Sequence, residues 1–408
     1  MKVKVIGAGP GDPGMLTRRA REAVAAADRV YTSDHLMKLV EELTDRGEVR
    51  SVRETLEIIR RDAGSGETLA VVASGDTGFY SIASLIRRDA PPAAEVEFLC
   101  GISSMQYFAA ACGLGYEEMK LVSLHGREGS LVPYVCYHRC VFALTGGAAS
   151  ARGLLKELCR YGLGNVKVYA GERLSMADEN ITEGTASELS ERVFDPLTVL
   201  ILVNENPRDP ETTLSDRDFV RGKAPMTKEA VRELSLSWLE IRPAETVWDV
   251  GAGTGAMTCA MAQRARESFV FAVEKEQEAV ETVRRNMDRL GIRNIRLVCG
   301  EASAELEYFP APDRVFVGGS SGNLNAILDL VFRKNRNARV LITAVTLETL
   351  SEAVSALKER GTEPEVRCVN VADARALGRY HLMKAENPVY LIRNGRPAKD
   401  EEGTCDEG

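Results

Sequence analysis

The stretch DVGAGTGA, residues 249–256, decides how the second half of this 408-residue chain is read. An apolar run carries Asp249, then Gly251, Gly253 and Gly255 follow, and a helix-period segment begins at once. Glycines at that place let the backbone approach a ligand closely and turn tightly from strand into helix. The next apolar run ends at Glu274, about twenty residues on, where a carboxylate accepts hydrogen bonds from ribose hydroxyls. Glu301 and Ala302 close the third run, where a nucleoside base lies. All three positions fall at the carboxyl edge of an open α/β sheet, the edge that binds ligands. A bare strand-to-helix turn does not need the coupled acid.

Outward from this loop, strand-like runs alternate with helix-period segments. Strands are expected at 246–250, 269–274, 295–299, 314–318 and 339–345, with helices at 255–265, 275–290, 323–334 and 347–360. Two strands near 365–371 and 388–393 close the domain without a long helix between them. Ahead of it, Val231, Leu234, Trp238 and Ile241 share one helical face. The polar, proline-bearing segment 206–225 lacks periodicity and reads as a linker. The first half repeats the α/β alternation, with strands at 2–7, 68–74, 95–99, 120–124, 140–145, 166–171 and 197–203. Its helices are expected at 15–27, 79–89, 103–112 and 150–161. The division expected is 1–205, linker 206–225, a second domain 226–395, and an acidic disordered tail 396–408.

A second glycine loop, VIGAGPGDPG at 5–14, differs from the first in kind. Gly7 and Gly9 fit a dinucleotide fingerprint, but Asp12 stands at its third glycine and Pro10 and Pro13 flank it. Proline does not run through the body of a helix, and an aspartate facing a pyrophosphate is repelled. The stretch is therefore a loop, either a structural turn or a site for a ligand other than a dinucleotide.

The net charge of −8 argues against a general nucleic-acid binder. Nine cysteines, an odd number without any CxxC, read as reduced thiols of a cytoplasmic protein. Cys136, His138 and Cys140 alternate and would share one strand face, but a fourth ligand at suitable spacing is missing, so no metal is expected. The N-terminus carries no apolar signal region and no run reaches membrane-span length, so no membrane association is expected.

The segments VIGAGPGDPGMLTRRA (5–20), SGDTGFYSIASLI (74–86), GISSMQYFAAACGL (101–114) and SLHGR (123–127) together resemble the tetrapyrrole (corrin/porphyrin) methylases, in the spelling of the members that methylate C-5. The second half, from MTKEAVREL (226–234) through VWDVGAGTG, RVFVGGSSGNL (314–324) and TAVTLETL (343–350), resembles the class I C-15 methyltransferase/decarboxylases. The glycine pattern alone admits NAD, since Ala256 is tolerated at its last position; the closing hairpin and D-x-G-x-G-T-G favour S-adenosylmethionine. The resemblance implies a two-lobed class III methylase fold followed by a Rossmann-like class I fold. It implies two S-adenosylmethionine sites, one per domain, and a precorrin or cobalt-precorrin substrate. It also implies methylation at C-5 and C-15, with decarboxylation of the C-12 acetate, and a homo-oligomer.

For the first donor site the matching positions are Pro10, Ser74, Gly75, Asp76, Phe79, Ser103, Ser104, Thr145 and Gly171. Ser103 and Ser104 begin a helix, so the alternative reading is that they merely cap it. For the second they are Thr227, Gly251, Ala252, Gly253, Thr254, Gly255, Glu274, Glu301 and Ala302. Thr227 also suits an N-cap of helix 228–240. His125, Arg127 and His381 are candidate substrate or proton-transfer contacts, and Arg173, Arg375, Arg379 and Lys384 candidate grips for acid arms. GGSSG at 318–322 stands where amino-directed methyltransferases carry Asn-Pro-Pro-Tyr. That difference disfavours an RNA or protein methyltransferase. Two intact donor loops disfavour a non-catalytic tetrapyrrole-binding scaffold.

Overall fold

The computed structural model describes residues 1–395, so the tail 396–408 lies outside the described residues. The chain divides into two compact units, 1–131 with 138–205 and 132–137 with 206 onward.

The first unit contains two five-stranded sheets. In the first, all parallel, Lys2–Gly7 lies between Thr68–Ala73 and Glu95–Leu99, with Arg29–Thr32 and Gly47–Val49 beyond. Strands so buried read as continuous Val/Ile/Ala runs, and Val3, Val5, Ile6 and Leu69 are wholly or nearly wholly buried. The second sheet runs Lys120–Ser123, Cys140–Leu144, Thr198–Val203, Lys167–Glu172, Asn180–Thr185 and is antiparallel after its first pair.

Two helices begin later than their periodicity suggests. Thr17 caps the helix Arg18–Ala26 by accepting from the Ala20 N–H, after a short turn Pro13–Met15 capped by Asp12. The helix expected from residue 79 starts only at Ala83, because Tyr80 sits at φ +47°, which no right-handed helix accommodates. The alternation of Cys136, His138 and Cys140 suggests a strand face, but Val132–Tyr137 is a helix, with Pro133 in its first turn, where proline is tolerated. Cys136 therefore lies on a helix of the second unit and Cys140 opens a strand of the first, so the three residues share no strand face.

The second unit is built on a seven-stranded sheet in the order Ile295–Cys299, Val270–Glu274, Val247–Val250, Arg314–Val317, Arg339–Ala344, Val389–Asn394, Pro364–Val369. The first five strands are parallel and the last two pairings antiparallel, the closing hairpin expected. A further hairpin, Ala372–Leu377 with Tyr380–Ala385, extends from that closing pair, and every residue in it is exposed. The segment 206–225 is irregular but is not a free tether. Leu214 and Phe219 are buried in the same core as Trp238, Val247 and Leu341. Beneath them the fully buried Arg232 donates to the carbonyls of Leu214 and Thr227 and to Asp216, and stacks on Phe219.

Candidate functional sites

In the second unit the carboxyl ends of the five parallel strands open onto one cleft of about 500 Å³. Gly251 to Thr254, Glu274, Glu301, Ala302, Thr227 and Gly318 to Ser321 line its polar edge. Gly251, Gly253 and Gly255 have φ of +79°, +56° and +78°. A Cβ on Gly251 would stand 2.7 Å from the Gly319 carbonyl, and one on Gly255 2.8 Å from Val283. The glycines are thus required both by left-handed backbone and by close packing of loop on loop.

Glu274 binds this loop to the next. One carboxylate oxygen accepts from the Gly253 N–H at 2.8 Å, the other from the Glu276 N–H at 3.0 Å. A carboxylate offers about four acceptor positions, so two remain for the paired hydroxyls of a ribose. Asp249, one strand residue before the loop, is wholly buried: one oxygen accepts from the Thr258 hydroxyl and the other has no partner. Burial, with the Glu274 charge adding to it, pushes its carboxyl up to about 7. Sequence reasoning placed Asp249 only as a strand residue; an acid among Val247, Trp248 and Val250 was the available signal.

Thr227 does line the cleft but does not cap the following helix. Lys228 occupies the N-cap position of Glu229–Leu239 without a side-chain bond, and Asp216 accepts from the Glu229 N–H at 3.0 Å instead. The sequence also left out Lys228, Lys275, Glu386 and Asn387, all of which line the cleft. Lys228 lies 3.9 Å from Glu386 and 4.0 Å from Asp216. The opposite wall is apolar, formed by Val345, Val369, Val371 and Val389. His381, Arg375, Arg379 and Lys384 sit on the exposed hairpin and are not among the cleft's lining residues.

In the first unit three loops meet at the carboxyl edge of the parallel sheet. Gly9 and Gly75 exchange backbone bonds of 3.1 and 2.8 Å. A Cβ on Gly101 would lie 2.4 Å from the Gly75 carbonyl and 2.6 Å from that of Gly7. Asp76 staples the arrangement, accepting from the Gly101 N–H at 3.0 Å and the Gly78 N–H at 2.8 Å. Pro10, Ser74, Gly75, Asp76, Ser103 and Ser104 are brought together here. Ser103 closes a capping box with Gln106, so the cap reading holds for it. The helix it starts carries Phe108, against which Gly171 packs so tightly that a Cβ would lie 2.8 Å from the ring. Phe79 packs on Phe142 of the second sheet at 5.7 Å, and Thr145 bonds the Thr198 carbonyl there. His125 rests on Thr145 and Gly146, its Nδ1 3.2 Å from the Thr145 carbonyl. Arg127 is exposed in the same turn, whereas Arg173 is held by Asp178.

Comparison with known proteins agrees with both halves. Residues 2–190 match the family model of the tetrapyrrole (corrin/porphyrin) methylases, and residues 218–394 that of the precorrin methyltransferase domain. A probable cobalt-precorrin-6B C(15)-methyltransferase (decarboxylating) of Pyrobaculum calidifontis is 38% identical over 182 residues, 44% of this chain and 93% of that protein. The chain belongs to the precorrin methyltransferases. A second precorrin methyltransferase, the precorrin-6Y C(5,15)-methyltransferase (decarboxylating) of a Sinorhizobium species, is 29% identical over 352 residues, 84% of each chain. A crystal structure described as precorrin-6Y C5,15-methyltransferase from Geobacter metallireducens is 35% identical, covering 45% of this chain and 96% of that one at a TM-score of 0.43. As in a fused precorrin methyltransferase, the first half here is a tetrapyrrole methylase and the second a class I methyltransferase. Among the described residues no helix is long and apolar enough to cross a membrane.

Proposed function

We propose that this chain performs two methylations of one corrin precursor in cobalamin biosynthesis, at C-5 in residues 1–205 and at C-15 in residues 226–395, and removes the C-12 acetate carboxyl as CO₂. The observation that carries the reading is the pairing, in one chain, of two glycine cradles each stapled by an acid: Asp76 in the first and Glu274 in the second. The second cradle fits S-adenosylmethionine on its own geometry. Its glycines admit a ligand to the backbone, and Glu274 retains acceptor capacity for a ribose.

When bound, S-adenosylmethionine supplies an electrophilic methyl group on sulfur. An electron-rich ring carbon is already a nucleophile, so the chain's contribution is alignment and exclusion of water. In the second unit the glycine edge and Glu274 set the donor side, while Val345, Val369, Val371 and Val389 offer a dry face to a flat ring. That face also favours decarboxylation. It withholds water from the departing carboxylate, whose electrons pass into the conjugated macrocycle. In the first unit, His125 and Arg127 stand ready for substrate: Arg127 for an acid arm, His125 for proton transfer after methylation. We read the protein as a cytoplasmic homo-oligomer, the exposed hairpin 372–385 being a surface for copies of the chain. An isolated two-stranded hairpin is marginal in water.

The test is incubation with a reduced corrin precursor and isotope-labelled donor, scored by mass. Two methyl gains and one CO₂ loss are expected, with two donor molecules bound per chain by calorimetry. Binding of a single donor, or of a pyridine dinucleotide in its place, refutes the reading.

A further inference from the structure

Tyr80 follows the Asp76 staple by four residues and is, among the described residues, the one aromatic residue with a positive φ. Its backbone lies at φ +47°, a conformation that costs a non-glycine residue on the order of 1 kcal/mol or more and persists only where surroundings enforce it. What enforces it is visible. The hydroxyl donates to the Leu121 carbonyl at 3.2 Å, tying a loop of the first sheet to the strand Lys120–Ser123 of the second. The ring stands edge-on to Phe79, centroids 5.0 Å apart at 71°, and Phe79 in turn rests on Phe142. Yet with its hydroxyl and one ring edge engaged, Tyr80 still keeps 52% of its surface in solvent. A tyrosine strained, anchored at both ends and left with an open face is not filling a core.

The surroundings indicate what that face meets. The strand that holds the hydroxyl runs on into the turn bearing His125 and Arg127, both exposed. The Arg127 guanidinium is near enough to act on the Tyr80 hydroxyl, opposing the upward push that burial gives it. An open aromatic face, with the charge of an exposed guanidinium acting on it, matches a flat, conjugated ring carrying carboxylate arms.

We propose that the open face of Tyr80 is the platform on which the tetrapyrrole plane rests during C-5 methylation, making it a specificity-determining substrate contact. This rests on the function proposed above for the first unit. Phe79, its neighbour in sequence, faces inward and supports it.

The experiment follows C-5 and C-15 methylation separately in the full chain carrying Tyr80→Phe, Tyr80→Leu or Tyr80→Gly, with donor binding and thermal unfolding measured on each. Phenylalanine keeps the plane, so its KM for the macrocycle is expected to stay within about threefold of the parent. Leucine and glycine lose the plane, and both are expected to raise the C-5 KM roughly tenfold, the scale of one lost aromatic stack. Donor affinity and C-15 methylation should not change. Glycine also relieves the positive φ, so it should unfold no earlier than leucine while binding substrate no better. A purely structural Tyr80 would give the opposite, lower unfolding temperatures with an unchanged C-5 KM, and that result overturns the proposal. If the parent chain itself shows no C-5 methylation, the functional reading fails instead, and the two failures are told apart by that control.

Discussion

Replacing Glu274 by alanine should remove one donor site of the two and one methylation of the two. The magnitude follows from two bonds. Each backbone N–H to this carboxylate, 2.8 Å from Gly253 and 3.0 Å from Glu276, is charge-assisted and contributes about 1.5–3 kcal/mol. Gly253 borders the open cleft, so water replaces part of what is lost, and the lower end applies: about 3 kcal/mol for the pair. At about 1.4 kcal/mol per tenfold, the loop's hold on its donor-binding shape weakens by roughly 10². Under the proposed function, loss of the carboxylate's remaining acceptor positions for a ribose would act in the same direction. Glu274→Gln keeps the shape and one acceptor oxygen, so about one bond's worth, roughly tenfold, is expected. Calorimetry on the full chain should show two donor sites in the parent and one in Glu274→Ala, with mass spectrometry finding C-5 methylation intact and C-15 methylation lost. Two undiminished donor sites in Glu274→Ala would refute the reasoning. So would loss of both methylations in a chain that still folds, because the units would then not act independently.

Gly101→Ala should do the converse, since its Cβ would lie 2.4 Å from the Gly75 carbonyl and force the three loops apart; mass spectrometry should show C-15 methylation alone. Arg232→Met should destabilise the second unit by about 3 kcal/mol or more, because it takes the donor from two carbonyls, Leu214 and Thr227, and a close cation from Asp216. Both tryptophans, Trp238 and Trp248, lie in that unit, so their fluorescence in a urea titration reads it alone. The same signal tests Asp249. Buried, its carboxyl holds a proton up to about pH 7, whereas the unfolded chain releases it near pH 4. The folded state therefore binds the extra proton between those values, and this group's contribution to stability is lost as pH rises from about 4 to 7. Asp249→Asn, neutral throughout, should flatten that part of the urea-midpoint profile; an unchanged slope would show that Asp249 is ionised in the fold.

The elements that sequence reasoning found are those with a long period or a strong run: Lys2–Gly7, Thr68–Ala73, Gln277–Leu290 with its left-handed Gly291 cap, and the five parallel strands of the second sheet. It missed Arg29–Thr32 and Gly47–Val49, too short to show any period, and the helix Val52–Arg61, although Ser51 and Glu54 spell a capping box there. The hairpin 372–385 alternates against no core, so neither face is marked by hydrophobicity. In 206–225, Leu214 and Phe219 are isolated apolar residues whose burial depends on partners far along the chain. At the sites, glycines and acids were legible because each has a conformational or chemical reason to recur at fixed spacing. Tyr80 was not, because its meaning lies in a dihedral angle and a bond to Leu121, which no spacing encodes.

The two cradles solve one physical problem in two unrelated sheets. A loop must be bare of side chains for the backbone to meet a ligand, but glycine is the residue with the most conformational freedom to lose. Left alone, such a loop would make binding pay that entropy each time. In both units a carboxylate removes the freedom beforehand by accepting two backbone N–H groups from separate stretches: Gly78 and Gly101 on Asp76, Gly253 and Glu276 on Glu274. The difference lies in what each acid joins. Asp76 links its own loop to the loop after Glu95–Leu99, the strand on the far side of Lys2–Gly7, so it fixes a junction of loops. Glu274 reaches back from the second strand of its sheet to the glycine turn after the first, so it fixes the turn and faces the cleft at once. Its loss should therefore remove a carboxylate from the cleft wall as well as loosen the turn, whereas the loss of Asp76 should act only by letting glycine loops drift.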